Sequence, residues 1–73
     1  MEELLQVLSE VCPDVDFENG ENLVDSGAIN SFDVLTIIGE LNDTFDIQIS
    51  AGDIVPENFN SARAMWALIE RLR

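Results

Sequence analysis

The side chains that most often carry enzymatic chemistry are scarce in this chain. It has no histidine and a single cysteine, so neither a Ser-His nor a Cys-His dyad can be assembled. Cys12 has no base beside it in sequence and falls on an apolar stripe, where a small buried core residue is the better reading than a nucleophile. Asp and Glu are abundant, fifteen in all, yet nothing marks a cleft among them, and a solvated acidic face accounts for them. The spacing Asp14-x-Asp16-x-Glu18, followed by Gly20 and Asp25, echoes a calcium-binding loop. There the glycine falls one place late, the last ligand position is Asp rather than Glu, and no helix follows directly, so no metal site is expected. The hydroxyl of Ser31 remains. It stands where a long polar loop runs into a helix, and its ordinary task would be to cap. Helix N-termini also favour anions, so a phosphodiester on this hydroxyl would be electrostatically welcome.

The elements that must hold these groups follow from hydrophobic spacing. Leu4, Leu5, Leu8, Val11 and Cys12 recur at helical intervals, which predicts a helix over Glu2 to Cys12, stopped by Pro13. Glu2 and Glu3 suit its positive end. Asp14 to Ile29 reads as a long loop with anchors at Val15, Phe17, Leu23 and Val24, the kind of loop that usually has a function. Ser31 to Asp46 reads as the main helix, with Asn30 as N-cap and Asp33 three residues on. Val34, Ile37, Ile38, Leu41 and Phe45 form its core stripe. Ser50-Ala51-Gly52-Asp53 resembles a capping box that opens one short turn, and Pro56 limits its continuation. The final helix is expected to begin near Asn60 or Ser61, with Ala62, Met65, Trp66, Ile69 and Leu72 as its stripe. Phe45-Asp46-Ile47-Gln48-Ile49 alternates like a strand, but only briefly. The fold class is therefore all-α: a small four-helix bundle, three main helices and one short one, with a long loop between the first two.

The main helix carries a second apolar group away from the core stripe. Phe32, Leu35 and Gly39 lie on it, Asp43 and Asp46 rim it, and Glu40 sits further round. Single exposed apolar residues are ordinary; an apolar centre with a polar rim marks an interaction surface. A glycine inside a helix costs roughly 1 kcal/mol against alanine, and a close approach by another backbone would account for Gly39.

Composition bounds the rest. Seventy-three residues make one domain with a thin core. The net charge of −12 repels phosphate backbones and anionic membranes and favours a basic protein surface as partner. Nucleic acid is not an expected partner. No stretch approaches the length of a membrane span. No signal peptide opens the chain, so a cytoplasmic protein fits.

Leu23-Val24-Asp25-Ser26-Gly27-Ala28-Ile29-Asn30-Ser31-Phe32-Asp33 resembles the signature of acyl and peptidyl carrier domains, in which a Gly-containing loop runs into Asp-Ser and an apolar residue. The resemblance continues through the acidic helix and Phe45-Asp46-Ile47-Gln48-Ile49. It then takes in Ile54-Val55-Pro56-Glu57-Asn58-Phe59, similar to the family's short third helix, and the Ser-capped final helix. It covers nearly the whole chain as one domain, residues 1–73. It implies a non-catalytic carrier with 4'-phosphopantetheine on Ser31, donated from coenzyme A by a phosphopantetheinyl transferase and loaded as a thioester. An acyl- or aminoacyl-activating ligase and a downstream synthase or transferase are the implied partners of a monomer that, beginning and ending with the domain, acts in trans. They would dock along the main helix, at Asn30, Phe32, Asp33, Leu35, Gly39, Glu40, Asp43 and Asp46. Fatty acyl, polyketide, aminoacyl and D-alanyl carriers share these features, and Gly27-x-Ile29-x-Ser31-Phe32 also resembles D-alanyl carriers. One position departs: the family usually has Asp immediately before the serine, where this chain has Asn30. The alternative is an acidic interaction module that uses the Phe32 and Leu35 patch without a prosthetic group.

Overall fold

In the computed structural model, which describes residues 1–73, the chain forms four α-helices and no strand. They are α1 (Glu2–Val11), α2 (Ser31–Phe45), α3 (Pro56–Phe59) and α4 (Ala62–Leu72), with a 3-10 turn at Ala51–Asp53 between α2 and α3. Helix α1 packs against α2 and α4, and α3 packs against α4. This is the small all-α bundle with one short helix that the apolar spacing implied.

The core holds eighteen buried side chains, every one apolar. Leu4, Leu8, Ile37, Leu41, Met65, Leu68 and Ile69 are fully buried at its centre. The expected stripes are all present, with Val7 on α1 and Leu68 on α4 added to them. Leu5 and Trp66 lie at the stripe edges, and Val11, Phe45 and Leu72 in the last turns, so each is only half-buried. Phe45 meets Trp66 edge to face, with centroids 6.0 Å apart, and the Arg73 guanidinium stands 5.4 Å from the Trp66 ring centre. Cys12 follows α1 as its C-cap rather than extending the helix, and is buried. Burial, and behind it the negative charge of Asp33, raises its thiol above the ordinary 9.0, so it stays a neutral core residue at physiological pH.

The structure differs from the sequence expectation in three further places. Helix α2 ends at Phe45, and Asp46 turns left-handed behind it at φ 52°, a conformation that Asp tolerates better than most residues. Ser50 caps no backbone group; its hydroxyl instead donates to the Asp53 carboxylate at 3.0 Å. Pro56 opens α3 rather than limiting it, since the first position of a helix needs no N–H. Ile47 and Ile49 are buried and Asp46 and Gln48 exposed, so the alternation is real. The segment pairs with Asn42, not a strand: the Ile47 amide donates to the Asn42 carbonyl at 3.2 Å and the Ile49 amide to its Oδ1 at 3.0 Å.

The long loop is fixed onto this core by Phe17, Leu23 and Ile29, all buried. A Cβ at Gly20 would collide with the Asp16 carbonyl and the Leu23 side chain, and Gly27 sits at φ 84°. The turn therefore requires glycine at both positions.

These placements set an order of stability. Ile37 is fully buried and Leu35 is 60% exposed. Ile37→Ala is expected to cost about 2–5 kcal/mol and Leu35→Ala no more than about 0.5 kcal/mol, as read by thermal melts followed by circular dichroism. Because fifteen acids face three bases, and only Glu70 and Arg73 pair, at 3.7 Å, the same melts should rise in temperature as salt is added. A reversed order for the two variants would place the core on the wrong face of α2.

Candidate functional site

The start of α2 is built by a reciprocal cap. The Asn30 side-chain oxygen accepts from the Asp33 amide at 2.8 Å, and the Asp33 carboxylate accepts from the Asn30 amide at 3.2 Å. Asn30 is extended (φ −101°, ψ −179°), so the chain turns sharply into the helix, with Ser31 as its first residue. The capping box takes up the third amide of the helix, and the Val34 amide reaches the Asn30 carbonyl at 3.0 Å. The amides of Ser31 and Phe32 have no partner in the chain. They lie beside the Ser31 hydroxyl and supply the partial positive charge of a helix N-terminus.

Ser31 differs from the other four serines. Ser9 donates to the Gln6 carbonyl at 2.9 Å, Ser26 to the Leu23 carbonyl at 3.5 Å and Ser50 to Asp53. Ser61 accepts from the Ala64 amide at 3.1 Å and caps α4. The Ser31 hydroxyl is exposed and makes no hydrogen bond. It lines an apolar recess of ≈ 260 Å³ whose other walls are Val24 from the loop, Val34 and Leu35 from α2, and Ile54, Val55, Pro56 and Phe59 around the start of α3. An exposed, unengaged hydroxyl, two free amides and an apolar wall can take an ester to a phosphate and give an attached chain a surface to lie on.

Each residue singled out on α2 can now be placed. Asn30 is exposed and Asp33 half-buried, both held in the cap. Phe32 is 75% and Leu35 60% exposed, and Gly39, Glu40, Asp43 and Asp46 are exposed. Phe32, Leu35, Gly39, Asp43 and the trailing Asp46 share the face opposite the core stripe, apolar near Ser31 and acidic further along, whereas Glu40 points to one side. Space inside the fold does not explain Gly39, because a Cβ there would meet nothing within 4 Å.

The carboxylates of the calcium-like loop are not gathered: no group of three or more such side chains stands together. Asp16 instead closes its own turn, accepting from the Asn19 amide at 3.2 Å, and Asp25 accepts from the Asn60 side chain at 3.1 Å.

Two features lie outside what the apolar spacing singled out. Ile54 and Val55, each 39% exposed, extend the apolar surface from α2 across to α3. Their signal was an apolar pair just before Pro56 with no helical stripe to join. Asn60, read as a cap candidate, is not the cap of α4. Its backbone carbonyl accepts from the Leu23 amide at 2.9 Å, and its side-chain oxygen accepts from the amides of Val24 at 2.9 Å and Asp25 at 3.2 Å. A local reading of sequence gives no hint of bonds to residues 35 and 36 positions away.

The sequence model described as phosphopantetheine attachment site matches residues 2–69. No curated protein and no solved structure matches the chain. No helix is long and apolar enough to cross a membrane.

The cap itself is open to test. Asn30→Ala removes the acceptor for the Asp33 amide and is expected to cost about 0.5–2 kcal/mol, while Asn30→Asp, an equally good cap, should melt within a few tenths of the parent. Denaturant titrations of the three proteins measure this directly. An unchanged Asn30→Ala would mean that the cap does not hold the start of α2.

Proposed function

The chain belongs to the phosphopantetheine attachment site family, and from that premise we propose that it is an acyl or aminoacyl carrier whose arm is esterified to Ser31. The family carries 4'-phosphopantetheine covalently, which gives the chain a phosphopantetheine-carrier role. The observation that supports Ser31 as the attachment point is that it alone among the five serines has an exposed hydroxyl with no hydrogen bond. Nothing need be broken to free its oxygen. In the transfer, a bond forms between Ser31 Oγ and the phosphorus of the arm. The pyrophosphate bond of coenzyme A breaks, adenosine bisphosphate leaves, and the serine proton passes to a base on the transferase or to water.

The thiol of the arm supplies the thioester on which cargo is carried. The chain's own residues do the rest. The free amides of Ser31 and Phe32 face the phosphodiester with the positive end of the α2 dipole. The Asp33 carboxylate already answers part of that potential. The face of Phe32, Leu35 and Gly39, rimmed by Asp43 and Asp46, offers an apolar centre and an acidic margin to partner enzymes with basic docking surfaces. Attraction of that kind is screened beyond about 8 Å at physiological ionic strength. The proposed partners are a phosphopantetheinyl transferase, an acyl- or aminoacyl-activating ligase and a downstream synthase or transferase. The catalysis is theirs, and the cytoplasm is the proposed place.

Intact mass after incubation with coenzyme A and a transferase tests this reading. The chain should gain one arm, peptide mapping should place it on Ser31, and Ser31→Ala should gain none while keeping its helical spectrum. An arm on Ser26, Ser50 or Ser61 would sink the assignment. A chain that takes no arm but binds a partner through Phe32 and Leu35 would be an interaction module. Asn30→Asp should speed the transfer at fixed magnesium, because a carboxylate beside the hydroxyl can help hold the hard divalent ion that accompanies a pyrophosphate donor. A time course in which the parent is faster would overturn that part.

A further inference from the structure

We propose that Asn60 is a positioning residue for Ser31, acting through a clasp on the loop that leads into it; the proposal rests on Ser31 being the attachment point. Only five residues separate the clasped segment, Leu23 to Asp25, from the serine, and they are tightly tied. The Ser26 amide reaches the Asn22 carbonyl at 2.7 Å, the Gly27 amide the Val24 carbonyl at 3.1 Å, and the Ile29 amide the Leu23 carbonyl at 3.0 Å. Ile29 is fully buried, and Asn30 is held by the cap. Wherever residues 23–25 sit, the start of α2 is set against them.

Besides the buried side chain of Leu23, residues 23–25 are held to the rest of the molecule by Asn60. Its backbone carbonyl and side-chain oxygen receive three consecutive amides, from Leu23, Val24 and Asp25. Its side-chain N–H donates back to the Asp25 carboxylate at 3.1 Å. The side chain thus acts as acceptor and donor at once, which an amide can do and a carboxylate cannot. Asn60 follows Phe59 directly, and Val24 and Phe59 both line the recess that Ser31 lines. The clasp therefore ties the loop side of the recess to its α3 side, and with it the place of the hydroxyl that the loop leads into. Geometry of this kind matters to a bimolecular transfer, because a misplacement of about 1 Å can cost as much as 10²-fold in rate.

The chemistry of the clasp allows a swap. Asn60→Asp removes the donor and sets a carboxylate against the Asp25 carboxylate. Adding Asp25→Asn restores one amide and one carboxylate facing each other, in exchanged places. Four proteins are compared, the parent, Asn60→Ala, Asn60→Asp and Asn60→Asp with Asp25→Asn, at a temperature where circular dichroism shows all four folded. Mass time courses over a range of carrier concentrations give kcat and KM for arm transfer by one transferase, and hydrogen exchange reads the amides of Val24 and Asp25. Asn60→Ala and Asn60→Asp should each lose protection at these amides and about tenfold in kcat/KM, mostly in kcat, since the α2 docking face is untouched. The double variant should recover both.

A residue that served stability alone would shift the melting temperature but leave kcat unchanged among folded proteins. Equal kcat values across the four overturn the proposal, as does a double variant no faster than Asn60→Asp. If Asn60→Ala does not fold, the comparison of Asn60→Asp with the double variant decides. A parent chain that takes no arm on Ser31 overturns the attachment assignment and this proposal with it, whereas arms on Ser31 at one rate in all four overturn this proposal alone.

Discussion

A core with no polar side chain inside it is enclosed partly by segments that are not helical, and their backbone groups have to find partners. The chain meets this constraint with asparagine. Asn30 caps α2; Asn42 receives the amides of Asp46, Ile47 and Ile49 in the segment that leaves α2; Asn60 receives the loop before α2. Asn58 donates to the Asp53 carbonyl at 2.8 Å and accepts from Arg71 at 3.4 Å, tying α3 to the turn before it and to α4. A neutral amide offers donor and acceptor together and adds no charge. In a chain that already carries −12, each such tie made by a carboxylate would add to the self-repulsion that opposes compactness.

The division of labour on α2 follows from the same economy. One face supplies Val34, Ile37, Ile38 and Leu41 to the core, and the opposite face is left with Phe32 and Leu35 in solvent. The N-terminus is held by a cap that uses the third amide and leaves the first two free. A single element thereby contributes the packing, the exposed Ser31 hydroxyl, the local positive potential and the exposed face. All four belong to one rod, so they keep their spacing along α2.

Much of this was legible in the sequence, and the pattern of success is physical. Helical period and capping residues act within four positions, so α1, α2, α4 and the Asn30 cap could be read from their own residues, as could the exposure of Phe32 and Leu35. The start of α2 at Ser31 and the exposure of that residue, too, follow from local signals. What escaped depends on contacts between distant segments. Ser50-x-x-Asp53 has the spacing of a cap, but its hydroxyl turned to the Asp53 side chain. Val7 and Leu68 are buried because of where neighbouring helices press. Asn60 is indistinguishable from an ordinary N-cap until the loop is seen against it.

The contact between Phe45 and Trp66, with Arg73 beyond it, sits where the last turn of α2 meets α4, at the end of α2 away from Ser31. Trp66 is the one tryptophan, and the chain has no tyrosine. The intrinsic fluorescence of the protein therefore reports from a single address. It registers the parting of α2 from α4 and is nearly blind to the loop and the serine. Fluorescence unfolding curves record the closure of one end of the bundle. Motions at the other end need a label placed there.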